Sequence, residues 1–235
     1  MKRRLTALAM VLALILCACV SADADYTALY SACANHAQKT AFSASYRLNM
    51  TFEDGANTLL FSQGTYDADF SKDPPYVKVK ASQNYLGTPS AVDAEYKDGV
   101  YSATGEAIPE ENFFGQLLFV QPFVPEEKYI ISAKAVSSGN GSGVIFELKD
   151  AYGLLFPLIG EDIYDLARIY KPRKELTEIS SAYITLIPSS DGSVASMTVN
   201  FMLRVADTPP YVPGGGDAQD AYTLDIKTEY TVNFE

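Results

Sequence analysis

Tryptophan is absent from this chain, histidine occurs once and cysteine three times. With His36 alone, the chain cannot assemble the several imidazole and thiolate ligands that zinc sites draw on. Two of the three cysteines, Cys17 and Cys19, lie side by side near the N-terminus, so Cys33 is the only thiol further along. If Cys19 is modified and the residues before it are removed, Cys33 has no partner for an intramolecular disulfide. Cys33 and His36 can share a helix face, but no third group is placed to orient such a pair for nucleophilic chemistry. Cys33, in Ala-rich surroundings, reads instead as a small core residue. A Gly-x-Ser-x-Gly elbow is also missing, and Gly214-Gly215-Gly216 is followed by neither Lys-Ser/Thr nor a helix, so it is no phosphate loop. The expectation is a protein that is not an enzyme and carries no cofactor and no metal.

Positive charge is scarce as well, with 18 Lys and Arg against 29 Asp and Glu. Three of the cations, Lys2, Arg3 and Arg4, open the chain and are followed by an apolar run from Leu5 to Leu16. A charged start and a short apolar run are the two parts of a secretion signal. The run is too short for a membrane-spanning helix, which needs ~20 apolar residues, and the acidic Asp23 and Asp25 follow soon after. Without residues 1–18, 15 basic residues face the 29 acidic ones, a net charge of −14. Such a surface repels phosphate backbones and anionic head groups, which argues against nucleic-acid binding.

The segment Leu16-Cys17-Ala18-Cys19 resembles the bacterial lipobox, with Leu three before and a small residue just before the modified cysteine. That resemblance implies lipidation of Cys19 by fatty acyl chains such as palmitate. The chain would then be held on the outer face of the cell membrane. Cys17 departs from the pattern, standing where Ala, Ser or Thr is usual. The alternative is ordinary cleavage after Ala22 or Ala24 and secretion. The organisation expected is a signal over 1–18, a tether over 19–25 and one domain over 26–235.

Within that domain, Asp25 can cap a helix from about Tyr26 to Lys39, with Leu29, Ala32, Cys33, His36 and Ala37 on one face. The period then drops to two. Phe42, Ala44, Tyr46, Leu48, Met50 and Phe52 alternate with polar residues, the pattern of a half-buried strand. Asp54-Gly55 and Asp98-Gly99 are hairpin turn signals. Alternation returns in Thr58 to Phe70, Val77 to Ala81, Val92 to Tyr96, Val100 to Ala103, Tyr129 to Val136, Val144 to Lys149, Ala182 to Ile187, Val194 to Val205 and Tyr222 to Phe234. The expectation is a mainly β fold of about nine strands, joined by hairpin-like connections in one antiparallel sheet. Two stretches break the period. Ala151 to Tyr170 reads as a helical insertion that Pro157 should kink or divide. Phe113 to Val124 is too apolar for a loop and too short to span a bilayer.

This order of elements resembles the lipoprotein-carrier superfamily: the LolA and LolB carriers, the LppX-type lipoproteins and related lipoproteins of Gram-positive bacteria. The local likeness rests on Glu95-Tyr96-Lys97-Asp98-Gly99-Val100-Tyr101, the hairpin at Ser190-Asp191-Gly192, and Met197-Thr198-Val199-Asn200-Phe201. It implies a curved half-barrel sheet with the N-terminal helix and helical insertions on its concave side, around an apolar cavity for acyl chains. The cavity wall would come from inward strand positions such as Tyr46 and Leu48, and those same residues can equally fill a packed core. Phe113, Phe114, Leu117, Leu118 and Phe119 are the candidates for a lip, lid or permanent plug at the open side. The expected protein is a monomeric lipoprotein that meets the membrane through its lipid anchor and binds a lipid or another apolar or amphipathic ligand. The alternative is a non-catalytic cell-envelope module that binds another protein.

Overall fold

The computed structural model of the chain describes residues 27–52, 57–105, 122–138, 141–156, 164, 167–169, 171–208 and 222–235. The signal, Cys19, the tether with its capping Asp25, and the Asp54-Gly55 turn lie outside the described residues.

Each stretch of period two forms a strand: β1 (Ala41–Phe52), β2 (Thr58–Asp69), β3 (Tyr76–Tyr85), β4 (Thr88–Lys97), β5 (Val100–Gly105), β6 (Ile130–Ser138), β7 (Gly141–Leu148), β8 (Glu178–Pro188), β9 (Val194–Asp207) and β10 (Tyr222–Phe234). All belong to one open antiparallel sheet, which therefore has ten strands rather than about nine. Even the shortest, β5, pairs along its whole length, because Asp98 and Gly99 both take positive φ, 53° and 77°. That turn geometry matches the right-handed twist of paired strands.

The strand order is β5-β4-β3-β2-β1-β10-β9-β8-β7-β6, and it corrects a second expectation. β5 and β6 follow one another in the chain but form opposite edges, so their connection is not a hairpin. The chain instead passes from one edge to the other between Gly105 and Ile130. Turn residues signal local pairing only, whereas the pairing of β1 with β10 that sets this layout joins the two ends of the domain.

Register places most of the buried apolar residues of the sheet on one face. Met50 lies opposite Leu60 and Thr228, Thr228 opposite Phe201, Val199 opposite Ile184, and Ile184 opposite Phe146. A helix over 27–37 (α1) covers part of this face, with Leu29, Ala32 and Cys33 in the same buried cluster as Phe146, Leu186, Leu203 and Ile226. A second cluster, from Ala44, Tyr66, Val77, Val79, Val92, Ala94 and Val232, occupies the β1–β4 half. Gly64 belongs to this face for a steric reason. A Cβ there would run into the Lys80 carbonyl oxygen and lie 2.9 Å from the Tyr46 ring.

The helical insertion ends earlier than the sequence pattern suggests. Residues 152–156 are helical and bury Leu155, but Ala167 and Arg168 form a turn in which Arg168 has a φ of 54°. One continuous helix over Ala151 to Tyr170 is therefore ruled out. Pro157, the residue expected to kink or divide the helix, lies outside the described residues. Ile159, Ile163, Leu166 and Tyr170 lie outside the described residues. Beyond this insertion the buried Asp207 carboxylate accepts hydrogen bonds from the Lys171 N–H and the Tyr222 hydroxyl, each at 2.8 Å.

The end of α1 is tied to the β8–β9 turn. Asn35 Nδ2 donates to the Gly192 carbonyl at 2.9 Å, and Lys39 Nζ reaches Asp191 at 3.3 Å and Ser193 Oγ at 3.1 Å. His36 is buried beside them, 4.3 Å from the Phe234 ring, and its Nδ1 has no hydrogen-bond partner among the described residues. Burial first and the Lys39 charge second hold its pKa below the ordinary 6.5. The unfolded chain therefore takes up a proton before the folded one does. Stability is present above pH 6.5 and falls as the pH drops from there through the lowered folded value. The melting temperature of the wild type should decline faster over that window than that of His36→Leu. Parallel acid profiles would show that His36 is not responsible.

Candidate functional site

In a ten-stranded sheet the middle pair lies furthest from both edges, and its inward side chains should be the most completely covered. Here they are not. On β1 and β10 the large residues Phe42, Tyr46, Leu48, Phe52, Leu224, Tyr230 and Phe234 are only half-buried. On the neighbouring strands Leu203, Ile184, Leu186 and Phe146 are fully buried. The half-buried residues form a strip that shares the inward face of this pair with fully buried ones: Leu48 stands opposite the half-buried Tyr230, whereas Phe52 stands opposite the buried Ile226 and Phe234 opposite the buried Ala44.

The strip carries hydroxyls but no charge on the inner face. Tyr46 packs against Tyr66 and Tyr230, with ring centroids 5.0 and 6.4 Å away, and its hydroxyl lies 3.0 Å from Ser62 Oγ. Burial raises the pKa of all three tyrosines, so they stay neutral. Beside them Thr228 is fully buried and its Oγ1 has no partner among the described residues. A wall of this kind offers apolar contact along its length, with a few neutral hydrogen-bonding points.

Of the candidates drawn from sequence, Tyr46 and Leu48 fall on this strip, two residues apart on the inward side of β1. Phe113, Phe114, Leu117, Leu118 and Phe119 lie outside the described residues, although Phe123 and Val124 from the end of that segment pack on the larger cluster. Alternation already places Phe52 with Tyr46 on one face of β1, and Leu224 and Phe234 with Tyr230 on one face of β10; only the β1–β10 register shows which residues of the two sets stand opposite one another. The Cys33 thiol is buried and its pKa is pushed up to about 11, which makes it a poor nucleophile at neutral pH. Among the described residues no three His, Cys, Asp or Glu side chains cluster as a metal site would require.

No protein-family model matches the chain, and no curated protein matches it significantly.

Proposed function

We propose that the protein is a lipid-anchored, extracytoplasmic lipoprotein that binds an apolar or amphipathic ligand, such as an acyl chain, along the β1–β10 strip. The observation that carries this reading is the incomplete cover of seven large apolar side chains at the centre of the sheet. Burying such side chains gains ~25 cal/mol for each Å² removed from water, so a ligand that covers them is favoured. The likeness to lipoprotein carriers supports the same face, which a half-barrel would make concave. Anchoring rests on Leu16-Cys17-Ala18-Cys19.

Titration of the purified chain with a fluorescent fatty acid tests the ligand. Saturable binding is expected, and Leu48→Asn should weaken it roughly tenfold, with only a small change in melting temperature. A wild type that does not bind the probe, or a variant that binds equally well, would sink the reading. For the anchor, Cys19→Ala should release the protein from membranes while Cys17→Ala leaves it attached. Soluble wild-type protein beginning at Asp23 or Asp25 would exclude lipidation.

A second reading, a module that binds another protein, draws on the edge strands. Val100 on β5 and Ile131 on β6 are 66% and 57% exposed, and an open edge can accept an added strand.

A further inference from the structure

The opposite face of the β1–β5 half holds a groove of about 780 Å³, with Tyr46 the one strip residue in its lining. It runs across the strands rather than along them, between two rows set by register. One row passes through Asn233, Ser45, Thr65, Lys80, Asp93 and Thr104. The other passes through Arg47, Gln63, Ser82 and Ala91. Six strands contribute, and at ~4.8 Å between neighbours the groove extends for ~24 Å. Its volume is within the range of ligand sites, but its shape suits an extended chain better than a compact molecule.

The lining selects the chemistry. Of the ten side chains in the two rows, six are hydroxyls or carboxamides, groups that both donate and accept; Tyr46, Ala81 and Val92 lie between the rows, and the buried cluster of these strands packs on the other face. Charge is balanced locally. Lys80 is paired with Asp93 at 3.3 Å. Arg47 lies near Glu229, a carboxylate held below its usual range first by Lys227 and in part by Arg47. A polyanion needs a run of cations, which this groove lacks. A peptide joining as a strand needs an open edge, whereas the groove crosses strands whose backbones are already paired. A second depression of about 690 Å³ lies towards the β1–β2 and β3–β4 turns, where Phe61 and Asn84 form the next outward row. It adds an aromatic ring flanked by the amides of Asn57 and Asn84, and Arg47 sits 5.2 Å from that ring.

We propose that this outer groove binds a neutral oligosaccharide lying across the strands, its hydroxyls meeting the two polar rows and one sugar ring resting near Phe61. The site shares Tyr46 with the apolar strip but takes its ligand on the other face of the sheet.

Native gels containing dextran, laminarin, glycol chitin or hydroxyethyl cellulose test the site, with dextran sulfate as the anionic control. At least one neutral polymer should retard the wild-type chain. Ser82→Trp, which fills the groove from an exposed position, should weaken that retardation by roughly tenfold or more, while Leu48→Asn on the inner face leaves it unchanged. The exposed pair Gln63→Ala and Thr65→Ala decides the matter if Ser82→Trp fails to fold. The proposal is overturned if no neutral polymer retards the wild type, or if a folded groove variant is retarded equally. Retardation by dextran sulfate alone, reversed by salt, would overturn it as well.

Discussion

A chain ending at Ala221 should show no cooperative unfolding transition. The lost segment is β10, which comes last in sequence but lies at the middle of the sheet, between β1 and β9. Its removal strips hydrogen-bond partners from both neighbours along nearly their full length. It also takes out the fully buried Ile226, Thr228 and Val232. What remains is two separate meanders, β1 to β5 and β6 to β9, each with a bare edge that favours aggregation. Calorimetry and binding of a hydrophobic dye should report a non-cooperative, dye-binding species. A soluble truncation with a sharp melting transition would mean that β10 is not the strand that joins the two halves.

Phe146→Ala should be the most damaging single change in the helix-bearing core. Phe146 is fully buried on β7 and is among the largest side chains that are so. Truncating such a residue removes its transfer energy and leaves a cavity, together ~3–5 kcal/mol. Against a typical total of ~5–15 kcal/mol, that loss is severe. At ~2–4 °C per kcal/mol for a chain of this size, the melting temperature should fall by roughly 10 °C. Phe52→Ala removes the same atoms from the half-buried strip and should cost distinctly less. Equal losses at the two positions would show that the strip is ordinary core, and the case for a ligand there would fall with it.

Much of the local structure could be read without coordinates. The alternation from Tyr222 to Phe234 forms β10 over those same residues, and Asp98-Gly99 makes the turn its composition implies. The β3–β4 turn was not legible. It uses Leu86 and Gly87 at positive φ, 45° and 85°, and leucine pays ~1–2 kcal/mol for that conformation. Of the two, only Gly87 is a residue that favours such a φ, and Leu86 masks the signal. Asp207 is similar: a carboxylate near the end of a strand looks exposed, yet Lys171 and Tyr222 meet it in the interior.

The candidate site divides in the same way. Tyr46 and Leu48 could be named because period two marks the inward side of β1, but the periodicity does not separate a filled core from an accessible wall. That difference depends on how much of each ring its neighbours cover, and the neighbours on β10 come from the far end of the chain. The outer groove could not be foreseen either, since its two rows combine residues from six strands.

The sequence by itself determined which segments become strands, which of their faces is apolar, and that residues 27–37 form a helix with one buried side. These are local properties, set by side-chain alternation and turn chemistry within a dozen residues. The tertiary structure alone decided that β10 pairs with β1, that β5 and β6 become opposite edges, and that a strip of large side chains at the centre remains partly uncovered. Those outcomes depend on pairing between distant segments, where the energy lies in surfaces that meet only once the whole sheet has formed.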